Sequence, residues 1–546
     1  MIVVQKFRFL VLFAALGTLL LVFYYSSFHS HSHGFREYQH SFPHRFREYI
    51  LHHPDKHRYV SSDPWRSPES YEPTYVKSDK RPKLPAANKF RSKGEYLKQP
   101  IVSDYPPGAD RVFLMIKTGA SVLWERLPIH LLTTLTKVPK FGLYSDAPGS
   151  IAGYEVVDAL ANISQSTKSD KSFQMYSYQQ IIHDEHGVND AGSVAMNEGW
   201  ALDKFKNIPM LAHAYAASPE SDWFVFMDAD TYMLMDNLMD LLNTMNPDEP
   251  VYYGAKNFIQ GVGSDGEHIK VGFAHGGSGV IISRKALELT VGDHPEYVKE
   301  YENRTSGFCC GDGMVGMMLK EKLDLSISDE KKPPHVGVSV QGEPYYSVKV
   351  NQDKWCAPIV TFHKMTPHDI EVMYEYERLR PPNDRNITYG HIYRDFYLPY
   401  ISDKVEDWDN RANERRYSLE QDKEDNILPL SEGGPEERPY ESFEACRRKC
   451  ESQDDCMSFR LISDKKFCGL SWDIRLGKPT TDWIDQGSDS KLYTKGTTSG
   501  WMIDRIRDLR KTMPCDPLYH DPNADGELGE GWYRIEQDHL SGSLQR

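Results

Sequence analysis

Two carboxylates separated by one residue, Asp228 and Asp230, are residues whose types and spacing could do chemistry. Side chains alternate along an extended chain, so this spacing places both carboxylates on the same side of the backbone. Two hard oxygen donors suit Mg²⁺ or Mn²⁺, with a substrate phosphate completing the coordination shell. The same pattern is typical of a strand end whose acids cap the next helix, because a helix N-terminus favours negative charge. The spacing alone leaves both interpretations open.

The elements around the two acids indicate where they lie in a fold. The apolar run Trp223–Met227 before them is typical of a strand buried on both faces of a parallel sheet. Two further strand patterns, RVFLMIKTG and FGLYSD, flank an amphipathic helix pattern and predict a βαβ unit. The first strand pattern contains Lys117 and Thr118 near its end, and the second ends on Asp146. Because ligands bind outside the carboxyl ends of such strands, we expect these three residues at the nucleotide-binding edge of the sheet, together with Asp228.

Three later motifs could contribute to the same site. The glycines of HGGSG, residues 275–279, indicate either a close approach of the backbone to another group or an ordinary turn. Asp312 lies between two glycines at the start of an apolar helix pattern, where an ordinary N-cap is the alternative. His363 ends the strand pattern PIVTFHKM and is a candidate third metal ligand, although a single histidine is usually structural.

Four motifs in order, WFVFMDADTY, HGGSGVIISRKAL, CCGDGMVG and IVTFHKMTPHDIEVMYEYE, resemble those of the Fringe and core 1 β1,3-galactosyltransferases, glycosyltransferase family 31. The resemblance covers about residues 110–400. It implies the GT-A fold, an α/β, Rossmann-like fold with a mainly parallel sheet. It also implies a UDP-sugar donor, a Mn²⁺ ion, or Mg²⁺ in its place, and inversion at the sugar carbon.

The resemblance implies a metal site made by three residues. Asp228 and Asp230 match the outer acids of the family's acidic triplet, in which Ala229 replaces the middle acid. His363 matches the family's metal-binding histidine. Asp228 would also contact the nucleotide.

The resemblance further implies a catalytic base and a lysine that contacts the donor. Asp312 matches the family's catalytic base, although Gly311 stands where a second acid is common. Lys204, on a predicted helix over residues 200–215, resembles the lysine that reaches the donor.

Four cysteines cluster near the C-terminus, at Cys446, Cys450, Cys456 and Cys468. Their spacing does not match paired zinc knuckles and favours a disulfide framework with three open connectivities. The segment resembles the PAN/apple module, a small disulfide-rich α+β domain. That resemblance implies Cys446–Cys468 and Cys450–Cys456 pairs, and either an acceptor-binding or a structural role. Cys515 is expected to tie the C-terminal tail to the catalytic domain.

The bulk composition limits the classes of partner. A chain of 546 residues predicts two or three domains with linkers. The net charge is -15 although the first 100 residues are net positive, so the body of the protein is strongly acidic. An acidic body argues against a nucleic-acid partner.

The N-terminal sequence predicts a membrane anchor. Phe9–Tyr25 is an uncharged, mostly apolar run preceded by Lys6 and Arg8, which favours a type II signal anchor with a cytosolic N-terminus. A cleaved signal peptide is the alternative. Sequons at Asn162, Asn303 and Asn386, together with the eight cysteines, favour a lumenal body in the Golgi or early secretory pathway.

The sequence therefore divides into seven predicted regions. They are a cytosolic tail (1–8), a transmembrane anchor (9–25), a lumenal stem (26–105), the GT-A domain (106–400), a linker (401–436), the PAN/apple-like module (437–495) and a C-terminal extension (496–546). The predicted function is that of an inverting, metal-dependent transferase. It moves a hexose from a UDP-sugar to a glycan or glycoprotein acceptor such as O-linked GalNAc, and galactose in β1,3 linkage is the favoured hexose. The alternative is a catalytically silent carbohydrate-binding protein. The sequence is compatible with a homodimer but does not determine the oligomeric state.

Overall fold

The computed structural model describes residues 105–186, 199–262, 266–327, 340–380, 385–425, 437–480 and 496–515. The predicted tail and anchor, nearly all of the stem, and residues 516–546 lie outside this part of the chain. No helix among the described residues is both long and apolar enough to cross a membrane. Apart from residues 181–186 at the end of one helix, the described residues belong to one compact unit.

The strands and helices of the N-terminal part follow in chain order. They are β1 (Val112–Lys117), α1 (Leu123–Leu132), β2 (Phe141–Ser145), β3 (Gly149–Ile151), β4 (Tyr154–Asp158), α2 (Gln165–Lys168), α3 (Gln174–His186), α4 (Gly199–Ala217), β5 (Trp223–Asp228), β6 (Tyr232–Met233), α5 (Met235–Leu242), β7 (Tyr252–Gly254), β8 (Lys256–Val262), β9 (His268–Ala274), β10 (Val280–Ser283), α6 (Arg284–Leu287), α7 (Glu296–Ser306), α8 (Gly311–Leu323), β11 (Thr361–Phe362), α9 (Pro367–Leu379) and α10 (Tyr389–Ile392).

The C-terminal part continues this order. It contains β12 (Trp408–Asp409), β13 (Arg415–Ser418), α11 (Leu419–Glu424), α12 (Phe443–Glu451), β14 (Ser458–Ile462), β15 (Phe467–Ser471), β16 (Lys478–Pro479), β17 (Thr497–Trp501) and α13 (Ile503–Thr512).

A seven-stranded sheet with the order β3-β4-β2-β1-β5-β10-β7 forms the centre of the N-terminal part. Strands β4, β2, β1 and β5 pair in parallel, whereas β3 and β10 run antiparallel to their neighbours. The mixed α/β architecture with a largely parallel centre agrees with the predicted GT-A-like fold. Strand β5 lies between β1 and β10, and its residues Trp223–Met227 are all buried, as their apolar run predicts.

The sheet register brings the predicted site residues to one edge. Lys117, the last residue of β1, pairs with Asp228, the last residue of β5. On its other side Lys117 pairs with Tyr144 of β2, two residues before Asp146. The carboxyl ends of β1, β2 and β5 therefore meet, as the βαβ pattern predicts.

Helix α4 is continuous over Pro209, where the sequence predicts a kink or a break. The residues on either side of Pro209, Ile208 and Met210, are buried in the core beneath the sheet, with Leu211 one position further on. Tertiary packing thus compensates for the backbone hydrogen bond that proline cannot make.

The predicted strand over residues 358–365 is reduced to the two residues of β11, which pair with β6. Its flanks bond to other segments. The amide of Ile359 donates to the carbonyl of Ile387, and the amide of His363 donates to the carbonyl of Glu343. An apolar run indicates burial but does not show which segment supplies the backbone hydrogen bonds. The run at residues 358–365 therefore predicted a longer strand than the two residues observed.

The C-terminal module, defined here as the described residues from 408 to 515, is built on an antiparallel sheet with the order β13-β15-β14-β17. Helix α12 packs on this sheet, and disulfides join Cys446 to Cys468 and Cys450 to Cys456. This is the pairing implied by the resemblance. The identity of the module as a PAN/apple domain stays a prediction.

The predicted boundaries 437–495 are too narrow for this sheet. Strand β13 comes from the predicted linker, residues 401–436, and β17 comes from the predicted C-terminal extension. Two charged residues of the segment that was predicted to be a solvated linker instead form ion pairs. Arg415 pairs with Asp455 at 2.6 Å, and Glu414 pairs with Lys349 at 2.8 Å.

The C-terminal module and the N-terminal part share one hydrophobic cluster. It contains Trp355, Ile359 and Phe362 beside Ile474 and Trp501. A disulfide joins Cys356 to Cys515, which ties the tail to the N-terminal part, as expected from the sequence. The module is therefore packed into the fold and is not suspended on a flexible linker.

Replacing Trp501 with alanine should destabilise both parts together. Trp501 is buried, and its indole Nε1 donates to the carbonyl of Arg475 at 2.9 Å. Loss of a buried aromatic side chain costs about 3–5 kcal/mol. Denaturant unfolding followed by tryptophan fluorescence should show one transition at lower denaturant. Trp472→Ala is the matched control, because Trp472 is 42% exposed; two separate transitions in Trp501→Ala would contradict the shared core.

Candidate functional site

Three side chains converge beyond the carboxyl end of β5. One ligand atom from each of Asp228, Asp230 and His363 lies within 4.8 Å of the other two. Nε2 of His363 is 3.3 Å from Oδ1 of Asp230. From the sequence we expect these three residues to be metal ligands, and the structure brings them together from the end of β5, the turn after it and the residue after β11.

The chemistry of this cluster fits a divalent cation. Oδ1 of Asp228 and Oδ1 of Asp230 are buried, yet neither makes a hydrogen bond of good geometry with the described residues. Nδ1 of His363 is likewise buried and without a hydrogen-bond partner in this part of the chain. Buried polar atoms are normally satisfied, and two carboxylate oxygens with one imidazole nitrogen match the preferences of Mn²⁺.

Two cations offset the charge of the acids. Nη1 of Arg126, on α1, donates to Oδ2 of Asp230 at 3.0 Å, and Nζ of Lys117 lies 3.1 Å from Oδ1 of Asp228. Burial would raise the pKa of Asp230, but His363 and Arg126 hold that pKa below its usual value. Burial raises the pKa of Asp228, with Lys117 opposing the rise. Asp230 is thus the more firmly ionised of the two acids.

A partly buried ionic network lies behind Asp228. Lys117 also pairs with Asp203 of α4, and Asp203 lies 3.5 Å from Nζ of Lys206. Nζ of Lys206 donates to the carbonyl of Thr118 at 2.8 Å and lies 3.8 Å from Oδ1 of Asp146. Burial would lower the pKa of Lys117, but the two carboxylates of Asp203 and Asp228 outweigh it and raise that pKa.

Asp146 is the most enclosed acid of this network. Its Oδ1 accepts a hydrogen bond from the amide of Ala120 at 2.5 Å, and its Oδ2 is buried without a hydrogen bond from the described residues. Thr118 is buried beside it. Lys117, Thr118 and Asp146 therefore lie together at the edge where the sequence predicted a nucleotide.

Lys204 does not join this group. Its Nζ donates to the carbonyls of Ser306 and Phe308, at 2.9 and 3.0 Å, and so braces the chain that leads into α8. Its neighbours Asp203 and Lys206 on α4 reach the network instead. The contact of Lys204 with the donor stays a prediction.

The glycine-rich turn at residues 275–279 lies against both Asp312 and His363. The amide of Gly276 donates to Oδ2 of Asp312 at 2.8 Å, and a Cβ atom at Gly277 would overlap the ring of His363. His275 caps this turn by accepting a hydrogen bond from the amide of Ser278 at 3.2 Å. The close approach that the glycines indicated is therefore present, and its targets are the candidate base and the candidate metal ligand.

Asp312 is fixed in the first turn of α8. Its Oδ1 accepts from the amide of Gly313 at 2.8 Å, while Oδ2 accepts from Gly276. Each oxygen keeps one further lone pair. A Cβ atom at Gly311 would overlap the carbonyl of Lys204, which explains why no second acid can precede Asp312.

Sequence reasoning missed Arg126, His130, Asp203 and Lys206. His130 is buried, its Nε2 lies 2.9 Å from the carbonyl oxygen of Ala229, and burial lowers its pKa to about 4. A neutral His130 thus holds the backbone between the two acids. The available signal was charged or polar residues inside otherwise apolar helix patterns, which require a buried partner.

Comparisons with known proteins agree with this geometry. Residues 108–332 match the family model described as Fringe-like. The chain is 28% identical over 242 residues to glycoprotein-N-acetylgalactosamine 3-beta-galactosyltransferase 1 of Xenopus laevis. That alignment covers 40% of this chain and 61% of the relative, so the chain spans less than two thirds of the relative's length. His363 lies outside the residues that the family model matches. The two similarities support a glycosyltransferase.

Gly277→Ala should weaken metal binding without unfolding the protein. The added methyl group would displace the His363 ring, and disturbing a group that orients a metal ligand typically costs about tenfold or more in affinity. Calorimetric titration with Mn²⁺ measures the effect. Gly307→Ala is the matched control, because a Cβ there meets only the carbonyl of Arg304 at 3.8 Å. Equal Mn²⁺ affinities in the two variants would remove His363 from the ligand set.

Proposed function

We propose that this protein is an inverting, metal-dependent glycosyltransferase that transfers a hexose from a UDP-sugar to a glycan acceptor. The favoured reaction is transfer of galactose from UDP-galactose in β1,3 linkage to an acceptor such as O-linked GalNAc. The donor and the linkage rest on the similarity to a galactosyltransferase over part of the chain. The site residues rest on the geometry described above.

One observation carries the proposal. Two consecutive glycines touch the two chemically distinct halves of the site, Gly276 at the carboxylate of Asp312 and Gly277 at the ring of His363. A base is thereby adjacent to a metal-binding cluster. A protein that only binds carbohydrate has no need of this combination.

Asp228, Asp230 and His363 would hold a Mn²⁺ or Mg²⁺ ion. Such an ion stabilises the negative charge that develops on the leaving diphosphate. Lys117 and Arg126 keep the two acids paired and oriented before the donor binds. Since Asp146 and Thr118 lie at the same edge, we infer that they line the nucleotide site.

Asp312 would act as the catalytic base. Its carboxylate accepts the proton of the acceptor hydroxyl as the oxygen attacks the sugar carbon from the face opposite UDP. One displacement forms the new glycosidic bond, breaks the bond to the diphosphate and inverts the anomeric centre. The amides of Gly276 and Gly313 hold the two carboxylate oxygens in place for this step.

The eight cysteines support a lumenal location. Each of them is described in the structure, and each is in a disulfide, including the adjacent pair Cys309–Cys310. Disulfides of this kind persist in oxidising compartments. We therefore infer residence in the Golgi or early secretory pathway with a lumenal catalytic domain. The type II membrane anchor that we infer at the N-terminus rests on the apolar run Phe9–Tyr25.

Asp312→Asn should lower kcat by roughly 10²- to 10⁴-fold, because the amide cannot accept the proton. Binding of UDP should be unchanged, since the substitution keeps the shape of the side chain. Steady-state transfer assays and calorimetry with UDP measure the two effects. Asp324→Asn at the exposed C-terminal end of the same helix is the control. A wild-type kcat in Asp312→Asn would exclude the base role.

Incubation with UDP-galactose, UDP-GlcNAc, UDP-GalNAc and UDP-glucose should give Mn²⁺-dependent hydrolysis, fastest for UDP-galactose. EDTA should abolish it, and Asp230→Ala and His363→Ala should each remove the metal dependence. Transfer to a GalNAc-bearing peptide should give a β-linked product by NMR. Hydrolysis that survives EDTA would contradict the metal assignment. Absence of turnover with every donor would favour the silent carbohydrate-binding alternative.

A further inference from the structure

Residues 340–351, termed here the bridging segment, contact β11 and the adjacent His363 at their start. The amide of Gln341 donates to Oγ1 of Thr361 at 3.0 Å, and Val340 forms a parallel bridge with the same residue. The carbonyl of Glu343 accepts a hydrogen bond from the amide of His363 at 3.2 Å. The backbone of the candidate metal ligand is therefore held by Glu343.

The end of the bridging segment contacts the C-terminal module. Val350 and Ile474 exchange two backbone hydrogen bonds, at 2.9 and 2.7 Å. The amide of Gly477 donates to the carbonyl of Tyr346 at 2.8 Å. Twelve residues thus join the module to β11, the strand that directly precedes His363.

Arg411 adds an ionic contact in the middle of the bridging segment. Its Nη1 donates to Oε2 of Glu343 and to Oγ of Ser347, both at 2.8 Å. The side chains of Arg411 and Glu343 are 16% and 32% exposed, so the pair is partly shielded from solvent. Because Glu343 also bonds to His363, a single residue separates Arg411 from the metal ligand.

The module determines the position of Arg411. The amide of Arg411 donates to Oδ1 of Asp409 at 2.7 Å, and the same oxygen accepts from Nη1 of Arg460 on β14 at 2.5 Å. Asp409 is fully buried. Arg411 has a φ angle of 58°, in the left-handed region that non-glycine residues rarely adopt. Such a conformation persists where the surrounding structure imposes it, and it is concentrated at functional sites.

We propose that Arg411 is a positioning residue through which the C-terminal module orients His363. The contacts run from β14 through Asp409 to Arg411, and from Arg411 through Glu343 to the backbone of His363. The inference rests on the proposed function in taking His363 as a metal ligand. It assigns the module a role inside the catalytic site, in place of the acceptor-binding role considered from the sequence.

Arg411→Ala should raise the Mn²⁺ concentration for half-maximal UDP-sugar hydrolysis about tenfold, the usual effect of removing a group that orients a metal ligand. At saturating Mn²⁺ the kcat should stay within about twofold of wild type, because Arg411 does not contact the reacting atoms. Arg415→Ala is the matched control. Arg415 lies on the same part of the chain and pairs with the exposed Asp455 within the module.

A second readout needs neither metal nor substrate. Hydrogen exchange of the metal-free protein, measured by mass spectrometry, should be faster in peptides covering residues 340–347 and 359–365 in Arg411→Ala. Arg415→Ala should match wild type in both peptides. Glu343→Gln removes the same ion pair from the other side and should give the same result, which keeps the test informative where Arg411→Ala folds poorly.

Exchange of the two charges separates positioning from folding. The double variant Arg411→Glu with Glu343→Arg should recover part of the lost Mn²⁺ affinity, because the ion pair can form again. Wild-type Mn²⁺ dependence and wild-type hydrogen exchange in both Arg411→Ala and Glu343→Gln would overturn the proposal. Wild-type protein without turnover on any UDP-sugar would overturn the proposed function alone, since the exchange comparison still tests the coupling.

Discussion

Repulsion between two carboxylates at the end of one buried strand is the constraint on which the site depends. Asp228 and Asp230 face the same space, and burial would favour their neutral forms. A different cation pairs with each acid. Lys117 of the adjacent strand β1 pairs with Asp228, and Arg126 of the helix after β1 pairs with Asp230. Both cations come from the first βα unit, so the first strand, its helix and the central strand must be assembled if both acids are to stay ionised once they are buried.

The same requirement explains the second layer of charge. Lys117 is buried between two carboxylates, and the excess negative charge is balanced by Lys206 on the long helix α4. Each member of the network therefore depends on the next, and removing one leaves a buried charge without its partner. The network fixes the edge of the sheet more rigidly than apolar packing alone would, because its geometry is directional.

Local patterns singled out Asp228, Asp230 and His363 near the ends of buried runs and Asp312 at the entrance of an apolar helix. Their roles as metal ligands and base came from the family resemblance and stay predictions. Local patterns were insufficient on helices. Lys204 and Lys206 are two positions apart, which is about 200° around a helix, so the two ammonium groups lie on opposite faces of α4 and Lys206 reaches the ionic network. The face of α4 that meets the sheet is determined by tertiary packing. The charged residues of the predicted linker were likewise misleading, because Arg415 and Glu414 have partners far away in sequence.

The disulfide between Cys356 and Cys515 has a consequence for biosynthesis. A chain emerging from the ribosome presents the whole parallel sheet long before it presents residue 515, and 159 residues separate the two cysteines. Until then Cys356 has no partner and the aromatic cluster around Trp355 lacks Trp501. The native disulfide and the complete aromatic cluster beside β11 can therefore form only after residue 515 has been synthesised. The thiol of Cys356 would meanwhile remain available for thiol–disulfide exchange with other cysteines.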